Sequence, residues 1–222
     1  SACDRAQREL ALHADLILCV LRHLSEDEGL QTLESALPYR EHFIGLGLDS
    51  SERGHPPEKF ERLFRRAREL GLHCVAHAGE EGPAAYVTSA LDVLGVERID
   101  HGVRSLDDPV LMQRLAREGT PLTVCPLSNV RLCVVPELAA HPLPAMLQAG
   151  LKITVNSDDP AYFGGYLNTN LRELFLAHPS LGAPQAYDLL RNSLEASFAS
   201  AELKQGWLTQ LDAHFQASGI RA

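Results

Sequence analysis

The 222-residue sequence has no long apolar run. Its longest, Leu16 to Leu21, falls far short of the ~20 residues that cross a bilayer, and no basic-then-apolar leader opens the chain, so a membrane partner is not expected. Positive charge is also in short supply. Twenty Lys and Arg stand against 29 Asp and Glu, a formal charge of −9, which offers no basic face for a phosphate backbone and argues against a nucleic-acid partner. The five cysteines (Cys3, Cys19, Cys74, Cys125, Cys133) include no C-x-x-C pair, and three lie in apolar runs. That is the usage of buried thiols in a reducing compartment, so a cytoplasmic location is expected. No G-x-G-x-x-G follows an early strand and no G-x-x-x-x-G-K-[ST] occurs, which counts against nucleotide-phosphate folds; no G-x-S-x-G elbow or nucleophilic cysteine signature supports covalent catalysis. With 45% apolar and 22% charged residues, no linker and no low-complexity tract, residues 1–222 read as one globular domain.

What is there is a repeated grammar. Pro56-Pro57 opens an amphipathic helix with Phe60, Leu63, Phe64, Ala67 and Leu70 on one face; Gly71 closes it, and the apolar run Leu72 to Ala76 follows. Pro83 opens the next helix, Gly95 ends it, and Val96 to His101 follows. Asp108-Pro109 starts a third that ends at Gly119 before Pro121 to Cys125, and Pro144 to Ala149 ends at Gly150 before Leu151 to Asn156. Upstream, Leu16 to Leu21 and Phe43 to Leu48 fit the strand slot, separated by a helix with a Ser25/Glu28 capping box. Six strands ending near residues 21, 48, 77, 100, 125 and 156, alternating with helices, predict parallel pairing with right-handed crossovers. Their continuous apolarity fits burial on both faces, in a barrel or a doubly wound sheet. After residue 168 the spacing predicts helices only, over 170–177, 184–198 and 201–216.

The chemistry lies in an alignment. His77 and His101 each come six residues after a helix-ending glycine, as does Cys125, and Asp158 comes eight after Gly150. At about 3.3 Å per residue, all four reach the carboxyl end of a parallel sheet, where α/β folds build active sites. His77 with Glu80, His101, and the pair Asp158-Asp159 are a nitrogen and oxygen set suited to a divalent metal such as zinc, with a carboxylate left for proton transfer. Each piece has a bland counterpart. His-x-x-Glu is common by chance, and Asp-Asp-Pro is ordinary helix-start grammar with a second copy at Asp107-Asp108-Pro109. Only Asp158, directly off an apolar strand, is placed to enter a strand-end pocket. His13, His23, His42, His55, His73, His141, His178 and His214 lack such placement and read as surface or packing residues.

At these residues the sequence resembles the adenosine and adenine deaminase family of zinc amidohydrolase-type barrels. The likeness runs through His77-Ala78-Gly79-Glu80, Arg98-Ile99-Asp100-His101-Gly102, Val124-Cys125-Pro126-Leu127-Ser128-Asn129 and Asn156-Ser157-Asp158-Asp159-Pro160, in the family's order. It implies a TIM-type (β/α)8 barrel and one zinc ion, with His77 and Asp158 as zinc ligands. Glu80 would protonate the purine ring, His101 would hold and orient the attacking hydroxide, and Asp159 would hydrogen-bond the purine's imidazole edge. The segments Gly47-Leu48-Asp49-Ser50-Ser51-Glu52 and Pro160-Ala161-Tyr162-Phe163-Gly164-Gly165-Tyr166 look like the adenine-specific branch. The implied reaction is hydrolysis of adenine to hypoxanthine and ammonia, a step of purine salvage, with a small purine as partner. The P-C-x-x-C of the other zinc nucleobase deaminases is absent, which excludes their scaffold.

One departure stands out. The family's His-x-His pair, which supplies two zinc ligands from the first strand, occurs nowhere in these 222 residues, and six strands are two fewer than such a barrel needs. The expectation is a chain that begins at the third strand and that, by itself, binds zinc poorly and deaminates little. Three alternatives stay open: an adenosine deaminase, a hydrolase of amides or phosphoesters on the same barrel with a second metal, and a non-catalytic truncated binding form.

Overall fold

The computed structural model describes residues 2–219. Helix α1 (Ala2–Leu10) leads to strand β1 (Ile17–Leu21), then to α2 (Glu26–Ala36), whose N-terminus is closed by the expected capping box between Ser25 and Glu28. Strand β2 (Gly45–Asp49) is followed by a 3-10 turn (Pro57–Phe60) running into α3 (Glu61–Glu69), then β3 (His73–Ala78). Next come α4 (Ala84–Ser89), extended by a π-helical turn (Ala90–Leu94), and β4 (Arg98–His101). Helix α5 (Pro109–Glu118) and strand β5 (Leu122–Val124) come next. The short α6 (Pro126–Arg131) and α7 (Leu143–Gln148) precede β6 (Ile153–Val155). Four helices follow: α8 (Pro160–Phe163), α9 (Leu167–Ala177), α10 (Ala183–Ala196) and α11 (Ala201–Ala217). Two short helices, α6 and α8, fall outside the helices read from the sequence pattern, although Asp159-Pro160 is helix-start grammar. Each has a proline in its first turn and too few residues to show a period.

All strand pairs are parallel and the spatial order is β1-β2-β3-β4-β5-β6. A doubly wound sheet requires the order to reverse at a switch point. None occurs, so these are six successive βα units of a barrel wall. Four of the helix-ending glycines, Gly71, Gly95, Gly119 and Gly150, have φ between +65° and +78°, the left-handed backbone that stops a helix and that a Cβ disfavours. They set the strand phase. Register places Ala78 beside His101 and Val124 beside Val155, so the carboxyl ends of the strands come out on one rim.

The core lies between sheet and helices, with Leu46, Leu48, Phe60, Phe64, Ile99 and Leu122 fully buried. The two outermost strands differ. Strand β6 is buried throughout under α10, whereas β1 has Leu21 and Cys19 exposed. That corrects the expectation of buried thiols: all five cysteines are free, and Cys74 and Cys125 are buried, but Cys19, in an apolar run, is exposed on a strand with no second strand partner among the described residues. An apolar cavity of about 820 Å³, lined in part by Ile17, Ile44, Val155, Phe198 and Trp207, opens between the β1 and β6 sides. No described helix is long and apolar enough to cross a membrane.

Candidate active site

Strand β3 delivers His77 one residue before its end, and the chain turns at once through Gly79 (φ +71°), where a Cβ would meet Val87 Cγ2 at 2.7 Å. The turn is gripped from beneath by Glu52, 1% exposed. Glu52 Oε1 accepts from the Glu80 amide at 2.8 Å, and Oε2 accepts from the amides of Gly79 (2.9 Å) and Gly82 (3.2 Å). A buried carboxylate taking three main-chain N–H groups is a charge-assisted cradle that fixes where Glu80 starts. The fully buried Arg22 supports it from the other side: Nη1 donates to the His77 carbonyl at 2.7 Å and Nε to the His55 carbonyl at 3.0 Å. Burial lowers the Arg22 pKa, and the nearby Glu52 opposes that shift.

Strand β4 ends in His101, 2% exposed, and the strand-end residues converge there. The donor atoms of His77, Glu80 and His101 lie within 4.8 Å of one another, and those of His101, Cys125 and Asp158 form a second such group. His101 belongs to both. The His77 and His101 rings cross at 87° with centroids 4.6 Å apart. His101 Nδ1 lies 3.3 Å from Glu80 Oε1 without hydrogen-bond geometry, and it is buried with no partner. Across the rim, His77 Nε2 is 3.6 Å from Asp49 Oδ1. Asp158 is exposed; its Oδ2 accepts from the buried Ser128 hydroxyl at 2.6 Å. Both His101 (φ +69°) and Asp158 (φ +56°) adopt left-handed backbone, which non-glycine residues enter where surrounding contacts hold them, and such residues cluster at functional sites.

Electrostatics separate the groups. Burial, aided by the charges of Asp158 and Glu52 and opposed by His77 and by the Asn129 hydrogen bond, pushes Glu80 up to about 7. Burial and His77 hold His101 well below the usual imidazole range, so it is neutral. The Cys125 thiol is driven well above its ordinary value, chiefly by burial and then by Asp158, which keeps it protonated.

Of the residues singled out from sequence, His77, Glu80 and His101 are brought together directly, and Asp158 joins them through His101. Asp159 is exposed, and its Oδ1 accepts from the amides of Ala161 and Tyr162, both at 3.0 Å, as the N-cap of α8. Asp108 caps α5 in the same way. One oxygen of Asp159 is thus engaged in helix capping. Imidazole and carboxylate donors beside a buried imidazole nitrogen without a partner fit a borderline divalent cation such as zinc. His77 and Asp158 would hold it.

Several contributors are given no role by the sequence pattern. Asn129 Nδ2 donates to Glu80 Oε1 at 2.7 Å, and His141 Nε2 lies 3.2 Å from Asn129 Oδ1. His141, read from sequence as surface or packing, is 2% exposed and hydrogen-bonded, its Nδ1 accepting from the Leu143 amide at the start of α7. His73 keeps its structural reading: it stacks on Phe198 with centroids 4.1 Å apart and contacts Glu97 at 3.0 Å.

The family model described as adenosine deaminase matches residues 1–214. Adenine deaminase of Geotalea uraniireducens is 61% identical over 214 residues, 96% of this chain and 60% of that protein. Adenine deaminase of Cupriavidus necator is 61% identical over 217 residues, 98% of this chain and 61% of that protein. Among solved structures, an adenine deaminase from Arthrobacter aurescens superposes with a TM-score of 0.94 at 49% identity, covering 97% of this chain and 65% of that one. An amidohydrolase from Burkhoderia ambifaria with bound Zn superposes at 0.89 and 29% identity, covering 97% and 60%. The chain spans about 60% of the length of the curated relatives it matches. Model match, sequence identity and strand-end geometry lead to one statement: this chain belongs to the adenosine deaminase family.

Proposed function

We propose that the protein hydrolyses adenine to hypoxanthine and ammonia, with one zinc ion, as a step of purine salvage in the cytoplasm. The observation that carries this reading is the convergence of His77, Glu80, His101 and Asp158 on one strand-end rim, in a chain about 61% identical to adenine deaminases. Zinc, when bound, lowers the pKa of water toward ~7 and so supplies the hydroxide nucleophile at neutral pH. His77 and Asp158 would hold the ion. They are too few for a four-coordinate shell.

The chain's own residues do the proton work. An aromatic amidine resists attack until its ring nitrogen is protonated. Glu80, raised to about 7 by burial and so still largely able to hold a proton near neutral pH, gives that proton to the nitrogen beside the amino-bearing carbon. Asp158 takes the proton released as water becomes hydroxide. Neutral His101 orients the attacking oxygen. As the C–N bond breaks, the amino group leaves as ammonia with the proton held by Asp158, and the hydroxyl proton returns to Glu80, leaving hypoxanthine and a restored site. The free oxygen of Asp159 receives a hydrogen bond from the purine's imidazole edge. Ribose would be excluded by bulky loop residues such as Tyr162 or Phe163, on the short helix that Asp159 caps.

The test is turnover of adenine and adenosine by the full-length protein, followed as ammonia release. Adenine is expected to be the strongly preferred substrate, and chelation is expected to abolish activity that zinc restores. Equal or better use of adenosine refutes the substrate assignment; activity that survives complete metal removal refutes the metal assignment.

A further inference from the structure

Glu80 has two carboxyl oxygens, and the mechanism needs its proton on the one that meets the substrate. A hydrogen-bond chain behind Glu80 bears on which one that is. The Leu143 amide donates to His141 Nδ1 at 3.1 Å, His141 Nε2 lies 3.2 Å from Asn129 Oδ1, and Asn129 Nδ2 lies 2.7 Å from Glu80 Oε1. His141, Asn129 and Glu80 are 2%, 0% and 6% exposed, so solvent does not compete for these groups.

The direction of the chain follows from its first member. A main-chain N–H can only donate, so Nδ1 of His141 carries no hydrogen and Nε2 must carry it. Nε2–H then needs an acceptor, which requires the oxygen of Asn129 on that side and its NH2 on the other. With the amide reversed, an NH2 would face an N–H, leaving two buried donors opposed. The Asn129 NH2 therefore donates to Glu80 Oε1, and Oε2 has no hydrogen-bond partner among the described residues.

We propose that His141 is a positioning residue that, through Asn129, assigns Oε1 of Glu80 as a fixed acceptor and leaves Oε2 as the oxygen that carries the transferable proton. The inference rests on the reading of Glu80 as the proton donor. Burial and the neighbouring His178 keep the His141 pKa down at about 4, which maintains the neutral tautomer through the neutral range.

The direct test is the tautomer of His141 in the 15N-labelled full-length protein, read from long-range 1H–15N correlations. Protonated Nε2 with bare Nδ1 is expected at pH 7; protonated Nδ1 overturns the proposal. Two variants supply a kinetic test. His141→Leu is expected to lower kcat by about 10–100-fold while KM shifts by less than about twofold. His141→Gln, whose amide can accept from Leu143 and donate to Asn129, is expected to recover most of that loss. Unchanged kcat in the leucine variant, or a glutamine variant no better than leucine, overturns the proposal. If the leucine variant does not fold, the tautomer and the glutamine variant decide. Failure of the underlying reading is separate: full turnover by Glu80→Gln removes the proton-donor role and leaves the tautomer result standing.

Discussion

On the side of the rim where β3, β4 and β5 deliver Glu80, His101 and Asn129, side chains are sealed and interlocked. On the side where β2 and β6 deliver Asp49, Asp158 and Asp159, they are half-buried or exposed. The difference follows from what each group has to do. A proton donor must be dry, because desolvation is what raises Glu80 to about 7, and its oxygens must be told apart by fixed partners. Carboxylates that meet a cation or a purine must stay reachable, and their hydrogen bonds to Ser128 and to helix amides orient them without enclosing them. On the sealed side Glu80 and Asn129 hydrogen-bond each other, while on the open side Asp158 and Asp159 keep one or both carboxylate oxygens near solvent.

The strongest challenge to this contrast is Glu80→Gln in the full-length enzyme. It keeps the shape and the Asn129 contact but removes the acid, so kcat is expected to fall by roughly 10²–10⁴-fold, measured as ammonia release at saturating adenine. A drop below tenfold would place the proton elsewhere. Acid should weaken the sealed side through His141. The unfolded imidazole takes up its proton near 6.5 and the folded one only at about 4. Between those values the unfolded chain binds more protons, so stability is full above pH 6.5 and declines as the pH falls toward 4, by about 3 kcal/mol for this group. Denaturant titrations from pH 7 to 4 on wild type and His141→Gln, in which this contribution should be absent, isolate it.

A smaller effect is expected at the base of Glu80. Gly82→Ala puts a methyl into Glu52 Oε2 and 2.5 Å from Tyr86 Cδ2, and should cost about 1–3 kcal/mol in thermal or chemical unfolding. No loss would mean that the cradle yields. The mildest change separates the two Asp-Pro copies. Asp108→Ala should cost about 1 kcal/mol of helix capping with kcat and KM for adenine intact. Asp159→Ala should cost a similar amount and also raise KM; identical kinetics for the two would reduce Asp159 to a cap.

Much of the scaffold was legible because it is local. Gly71, Gly95 and Gly119 end helices at a fixed distance before the strand tips, so counting residues was enough to bring His77, His101 and Cys125 to one rim. The second Asp-Pro was legible for the same reason, as the N-cap of α5. What was not legible is held by long-range register. Glu52 reaches the amides of residues 79, 80 and 82 across a loop, Asn129 reaches Glu80 across 49 positions, and Arg22 reaches His77 across 55. None of these has a period or a spacing; each depends on which loops the parallel pairing lays side by side. The edge strand misled for a related reason: Leu16 to Leu21 is as apolar as an inner strand, and only the sheet order reveals that β1 has one strand neighbour among the described residues.

The left-handed backbone at His101 and Asp158 has a practical bearing on how the site can be dissected. A β-branched replacement at either position would be penalised by its own main chain before any chemistry is lost, so an inactive valine variant there reports on folding as much as on catalysis. Asparagine, which tolerates that conformation and retains a polar head, is the control substitution that isolates the missing imidazole or carboxylate from the shape of the turn.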